Sequence, residues 1–276
     1  MSIITLLTDF GTHDAYVGVM KGVILSINPS AVVIDVCHDV DPQDLIGAAY
    51  LINSFYRYFP KGTIHIVVVD PGVGGDRAII AVELAGHFFL APDNGALTLL
   101  MDENDVDTVI RVENPRYFLS TVSHTFHGRD IFAPAASHLS KGVRIDQLGS
   151  ALSPKDPVRL SISKPHLSEK GELIGSVISI DRFGNCISNI DESRLKEFIQ
   201  TGPEKTLEIQ VDKTVIKSLS QSYLNAARSD PVAVIGSFGF LEIAVNCGNA
   251  GRRLKISRGD TVAVRLRPRT KIGSRD

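Results

Sequence analysis

Up to about residue 150 the chain alternates short β-branched runs with longer stretches of helical period, the order that a largely parallel sheet covered by helices requires. The runs are IITLLTDF, VVIDVCHDV, IHIVVVD and DTVIRV. Between them, DAYVGVMKGVILSIN carries a stripe of Val17, Met20, Ile24 and Ile27, and QDLIGAAYLINSFYRYF one of Leu45, Ala48, Ala49 and Ile52, each at the spacing of one helix face. These predict βαβ crossovers. AIIAVELAGHFFLAPDNG differs, because its two apolar runs meet at Ala85-Gly86, which predicts a β-hairpin.

Residues 151–170, ALSPKDPVRLSISKPHLSEK, are rich in proline, serine and lysine, hold no sustained period and mark a boundary. Beyond it, GELIGSVISI, TLEIQV, PVAVIGSF, LEIAVN and DTVAVRLR are short runs closely separated by turns, which predict a small antiparallel barrel or sandwich. The chain is thus expected to be α/β with an N-terminal α/β domain at 1–155, a linker at 156–170 and a C-terminal β-domain at 171–276. Its last residues, PRTKIGSRD, are expected to fray.

A length of 276 residues, 43% of them hydrophobic, suits two cores of this kind. The net charge is −2 with both signs mixed along the chain, so no basic stripe awaits a phosphate backbone and nucleic acid is not an expected partner. MSIITLLTDFG lacks the charged leader and apolar core of a signal peptide, and no apolar run approaches the roughly 20 residues that span a bilayer. A soluble, cytoplasmic protein with no membrane partner is expected. Cys37, Cys186 and Cys247 are odd in number and form no CxxC, so they are expected to be small buried hydrophobes.

In an open parallel sheet, ligands bind outside the carboxyl ends of the strands, where Asp9 closes IITLLTD and Asp70 closes IHIVVVD. Either carboxylate could simply cap the following turn, but the two together favour a pocket. The glycines of PGVGG suit a tight turn; neither the phosphate-loop pattern nor GxGxxG is met. TDFG at 8–11 and HGRD at 127–130 resemble protein-kinase motifs but lack that family's other loops and their order. In STVSHTFHGRDIFAPAASHL, His127 and Arg129 stand at the entrance to a helix whose apolar face includes Phe132, Ala135 and Ala136. His127 there could titrate in a reaction or only cap the helix. Asp9, Asp35, Asp39, Asp70 and Asp93 could also converge with a histidine on a metal, although no HExxH or paired-histidine spacing accompanies them.

Taken together, TDFGTHDAYVGVMKG, VVVDPGVGGDR, APDNG, TFHGRDIFAPAA, DRFGNCISNI and SFGFLEIAVNCGNA resemble the S-adenosyl-L-methionine hydroxide adenosyltransferases, hydrolytic relatives of the fluorinase and chlorinase, in the right order over almost the whole chain. The resemblance implies a Rossmann-like N-terminal domain, a C-terminal β-barrel, and conversion of S-adenosylmethionine and water to adenosine and methionine without a cofactor. By the same resemblance Asp70, Arg77 and His127 form the set that holds the attacking water. Asp70 and His127 are then expected to accept its proton, with Arg77 fixing Asp70. The halogenases carry Tyr then Ser or Gly where this chain has His127 and Gly128, and lack the Asp/Arg pair, which argues against halide transfer.

For the substrate, the resemblance implies Asp9 on the ribose hydroxyls with Asp14 nearby, Phe183 stacked on adenine and Asn185 paired with its edge. Tyr223, Ser237, Glu242 and the backbone of Val245 are further implied contacts, although Phe183 and Val245 could equally be barrel core. It also implies a homotrimer whose pockets lie at subunit interfaces. Two rival functions share these residues: a metal-dependent nucleotide hydrolase built on the aspartates, and a module that binds S-adenosylmethionine or adenosine without turnover.

Overall fold

A computed structural model describes residues 2–202 and 205–268; the expected frayed tail beyond Pro268 lies outside the described residues. The chain forms two compact units, one up to Ser161 and the other from Ile162. No helix among the described residues is long and apolar enough to cross a membrane.

The N-terminal unit holds β1 (Ile3–Thr8), α1 (Tyr16–Ile27), β2 (Val32–Cys37), α2 (Leu45–Phe55), β3 (Ile64–Val68), β4 (Ile79–Leu84), β5 (His87–Pro92), α3 (Thr98–Glu103), β6 (Val106–Val112), α4 (Ala133–Ser140) and β7 (Gly149–Leu152). Its sheet runs β2-β1-β3-β5-β4-β6-β7. The pairs β1–β2, β1–β3 and β3–β5 are parallel, whereas β4–β5, β4–β6 and β6–β7 are antiparallel. The sheet is therefore mixed, and the expectation of a largely parallel one describes only its first four strands. The cause is the expected hairpin: β4 and β5 meet at Ala85 and Gly86, both at positive φ, so the chain reverses there and later strands continue antiparallel.

Helices cover both faces because each presents the stripe read from its sequence. Val17, Met20 and Ile24 of α1 enter one core with Ile4, Ile66 and Phe132, while Ala48 and Ile52 of α2 enter the other with Val67 and Phe89. Asp44 starts α2 by accepting the Gly47 N–H at 2.9 Å.

The C-terminal unit holds β8 (His166–Leu167), β9 (Leu173–Ile180), β10 (Cys186–Asp191), α5 (Glu192–Gln200), β11 (Lys205–Val211), β12 (Thr214–Ile216), β13 (Leu219–Ser220), β14 (Pro231–Ile235), β15 (Phe240–Val245), α6 (Ala250–Leu254) and β16 (Thr261–Pro268). Its strands run β12-β11-β16-β9-β10-β15-β14-β13, with β8 on β9. β12 also approaches β14, which makes the sheet nearly barrel-shaped around Leu173, Cys186, Ile209, Ile243 and Val262. Cys186 is thus core, as expected of a small hydrophobe, but Cys37 is only half-buried and Cys247 is exposed in the turn after β15.

Candidate active site

Register brings the first two candidate residues together. Thr8 of β1 pairs with Val68 of β3 in parallel, so Asp9 and Asp70 follow at neighbouring carboxyl ends of the N-terminal sheet. Both line a cleft of about 280 Å³ with Phe10, Gln43, Phe126 and His127. That volume is near the floor of the roughly 300–1,000 Å³ usual for ligand pockets.

The loop after β3 turns twice, with Val73 N–H donating to Asp70 C=O at 3.2 Å and Gly75 N–H to Gly72 C=O at 3.0 Å, which returns the chain to Arg77. At Gly74, φ is +77° and a Cβ would stand 2.1 Å from the His124 carbonyl oxygen, so only glycine lets this loop lie against the segment leading to His127. Arg77 Nε then donates to Asp70 Oδ1 at 3.1 Å and Oδ2 at 3.0 Å, and Nη2 donates to Oδ2 as well. Both side chains are largely buried, Asp70 at 4% exposure and Arg77 at 12%. A pair so desolvated depends on this complete bonding.

His127 stands before a π-helical turn, Gly128–Phe132, that leads into α4. Arg77 Nη2 lies 2.7 Å from its Nδ1. A guanidinium has only donors, so Nδ1 accepts and a neutral ring carries its proton on Nε2. Burial, then the neighbouring Arg77 charge, push the imidazole below its ordinary value, against the pull of Asp70, Asp130 and a hydrogen bond to the Ser123 backbone. The ring is neutral near pH 7 with no lone pair to spare.

Asp9 accepts the Gln43 N–H at Oδ2, 2.9 Å, with Gln43 held at φ 66°. Thr8 Oγ1, one residue earlier, is 2.9 Å from His38 Nδ1. Asp14 is exposed just before α1 and does not line the cleft. The other aspartates are engaged elsewhere: Asp35 lies 2.5 Å from Lys21 Nζ and 3.0 Å from His38 Nε2, and Asp93 accepts the Val158 N–H at 2.8 Å. Among the described residues, no group of three or more His, Cys, Asp or Glu side chains is placed to hold a metal ion.

In the C-terminal unit Asn185 donates its backbone N–H to Asp181 Oδ1 at 2.8 Å and its Nδ2 to Oδ2 at 3.0 Å, which fixes the amide plane. Tyr223 donates to Glu242 Oε2 at 2.9 Å. Burial and the nearby Asp181 charge raise the Glu242 carboxyl, which the Tyr223 bond partly offsets, while burial and Glu242 push the Tyr223 phenol up to about 12. Phe183 is 77% exposed between β9 and β10, and Ser237 is exposed in the turn between β14 and β15. Val245 is core, and its carbonyl already accepts the Gly248 N–H at 2.9 Å. Gln43, Asp181 and Asp130 were not singled out from sequence. A backbone donor at Gln43 leaves no sequence signal, whereas Asp130 lies inside the HGRD set aside as a kinase look-alike.

Comparison with known proteins follows the two units. The SAM hydroxide adenosyltransferase N-terminal domain matches residues 4–149, and the C-terminal domain of that name matches residues 175–263. An (R)-S-adenosyl-L-methionine hydrolase of Thermus thermophilus is 34% identical over 266 residues, 94% of this chain and 98% of its own length. A fluorinase of an Actinoplanes species is 28% identical, covering 95% of this chain and 97% of its own. The crystal structure of an uncharacterized conserved protein from Thermotoga maritima is 35% identical, with a TM-score of 0.87 over 95% of this chain and 99% of that one.

Proposed function

The chain belongs to the SAM hydroxide adenosyltransferase family and hydrolyses S-adenosyl-L-methionine to adenosine, and from that premise we propose that Asp70, Arg77 and His127 hold the attacking water at the end of β3. Carbon 5′ of the substrate bears a sulfonium, so in-line attack by water breaks the carbon–sulfur bond, and its electron pair leaves on a neutral thioether that needs no acid. Only the nucleophile needs help. A carboxylate is far too weak a base to deprotonate water, with its pKa of about 15.7, beforehand. As the new oxygen–carbon bond forms, however, that oxygen gains positive charge and becomes strongly acidic. Asp70 accepts the proton at that stage and passes it to solvent. Arg77 keeps Asp70 aimed, and His127, accepting from Arg77, fixes the guanidinium and closes the cleft. Alignment of this kind can supply roughly 7–11 kcal/mol.

What most supports this reading is the continuous bonding from Asp70 through Arg77 to His127, next to a ribose-competent carboxylate at Asp9. Asp9 takes the ribose hydroxyls, with Asp14 near the same loop, while Phe183, Asn185, Tyr223, Ser237, Glu242 and Val245 of the C-terminal unit meet the rest of the substrate. The candidate contacts are divided between the two units of the chain, so we assign the completion of the cleft to another copy of the chain in a homotrimer. A head-to-tail contact of that kind closes naturally into a ring. The name of the Thermus relative specifies the (R) sulfonium, and we assign the same epimer here.

Reaction of chelator-treated protein in ¹⁸O-labelled water tests the step. The label should appear on the 5′ oxygen of adenosine at an undiminished rate, from the (R) epimer in preference to the (S). Loss of activity on chelation with recovery on adding a divalent ion would show instead that the aspartates serve a metal.

A further inference from the structure

Asp130 lies three residues past His127, and its side chain is wholly buried. Burying a carboxylate is costly unless every lone pair is engaged, and here the engagement is specific. Oδ2 accepts both the Ser123 N–H at 2.8 Å and the Ser123 hydroxyl at 2.7 Å, while Arg129 donates from Nε to Oδ1 at 2.6 Å and from Nη2 to Oδ2 at 3.1 Å. Burial alone would raise this carboxyl, but the bonds from Arg129 and Ser123 outweigh it and keep the group ionised.

The partners of Asp130 all lead to the wall of the cleft. Ser123 Oγ in turn accepts the N–H of Phe126, the residue immediately before His127, at 3.1 Å. The Arg129 guanidinium sits 5.3 Å from the centre of the Phe126 ring, which packs edge-on against Phe10 and Tyr16. The backbone takes part as well. Pro134, four residues on, has no N–H to give the Asp130 carbonyl, and that carbonyl accepts the Leu119 N–H at 2.9 Å instead. Asp130 therefore holds the segment leading to His127 at two points, Leu119 through its carbonyl and Ser123 through its side chain.

We propose that Asp130 is a positioning residue for the hydrolytic step, acting through Ser123 to hold His127 where its Nδ1 can receive Arg77. A carboxylate is required because both oxygens must accept, Oδ2 from Ser123 and Arg129 and Oδ1 from Arg129, which an amide, with a donor in place of one oxygen, cannot do. The inference rests on the part given to His127 above.

The test is a double-mutant cycle. Asp130→Asn should lower kcat about 10–100-fold with KM changed less than about threefold, since the reacting geometry is displaced and the nucleoside contacts are not. In a His127→Ala background the same substitution should change kcat by less than about threefold, because the group it positions is gone. Ser123→Ala, which removes only the hydroxyl, should show a smaller loss with the same dependence on His127, and it decides the matter if Asp130→Asn does not fold. An equal fold-loss in both backgrounds, or an unchanged kcat in both single variants, overturns the inference. If His127→Ala itself keeps full kcat, the assignment of His127 fails and this inference falls with it.

Discussion

Arg77 can only donate, so the 2.7 Å contact from its Nη2 to His127 Nδ1 persists only while the imidazole is neutral. Protonation would place a hydrogen on Nδ1, replace acceptance by repulsion between two cations, and loosen the guanidinium that aims Asp70. The sign of the pH dependence follows. With the part proposed for His127 the neutral ring is the active form, and burial with the Arg77 charge moves its pKa below the ordinary value of about 6.5. Turnover should hold its plateau through neutral pH and fall on acidification, with a midpoint below about 6.5 that is absent from the residual activity of His127→Ala. A profile of kcat against pH checks this, and turnover that rises between pH 7 and pH 5 would show that the charged ring is the working form. Asp70 raises a different issue. It is nearly as buried as the core, and its ion pair with Arg77 gives the molecule a fixed dipole at the bottom of the cleft, which water in solution would have to reorganise to supply.

At the scale of elements, the placing of Asp9 and Asp70 at carboxyl ends of the sheet was legible because each closes a continuous apolar run, whereas the pairing of β1 with β3 that brings them side by side was not. Nor was the order of the remaining strands. A two-residue turn at Ala85-Gly86 commits β4 and β5 to antiparallel pairing, and nothing in DTVIRV shows that β6 will add to β4 rather than to β5. Helix α5 carried an available signal, with Asp191 accepting the Arg194 N–H at 2.8 Å as its cap and Leu195 and Phe198 on its buried face, yet it sits in a region read as closely spaced strands. The π-helical turn before α4 could not be anticipated, because periodicity reports apolar faces and not the one extra residue that widens a turn. Its consequence is local and chemical: it sets His127 at the cleft while keeping Phe132, Ala135 and Ala136 in the core. The C-terminal candidates divided on burial. Val245 is a core residue, whereas Phe183 is an exposed aromatic that no core requires.

For the whole molecule, the spread of candidate residues over both units makes the proposed trimer testable. Candidate groups for the water and the ribose lie in the N-terminal unit and those for the base in the C-terminal one, so lesions in the two sets need not fall in the same pocket. Inactive Asp70→Asn and Asn185→Ala proteins, dissociated and reassembled together, should regain partial activity if pockets are shared between subunits. Mixed trimers, verified by native mass spectrometry, that stay inactive would mean that each chain builds its own pocket. The Asp70→Asn protein is also the starting point for the most direct test of the central claim, that Asp70 serves the water and not the nucleoside. Its kcat should fall on the order of 10²–10⁴-fold, the range for losing a proton acceptor, while calorimetry finds S-adenosylmethionine binding within about threefold of the unaltered protein. Turnover that survives while binding collapses would contradict the account.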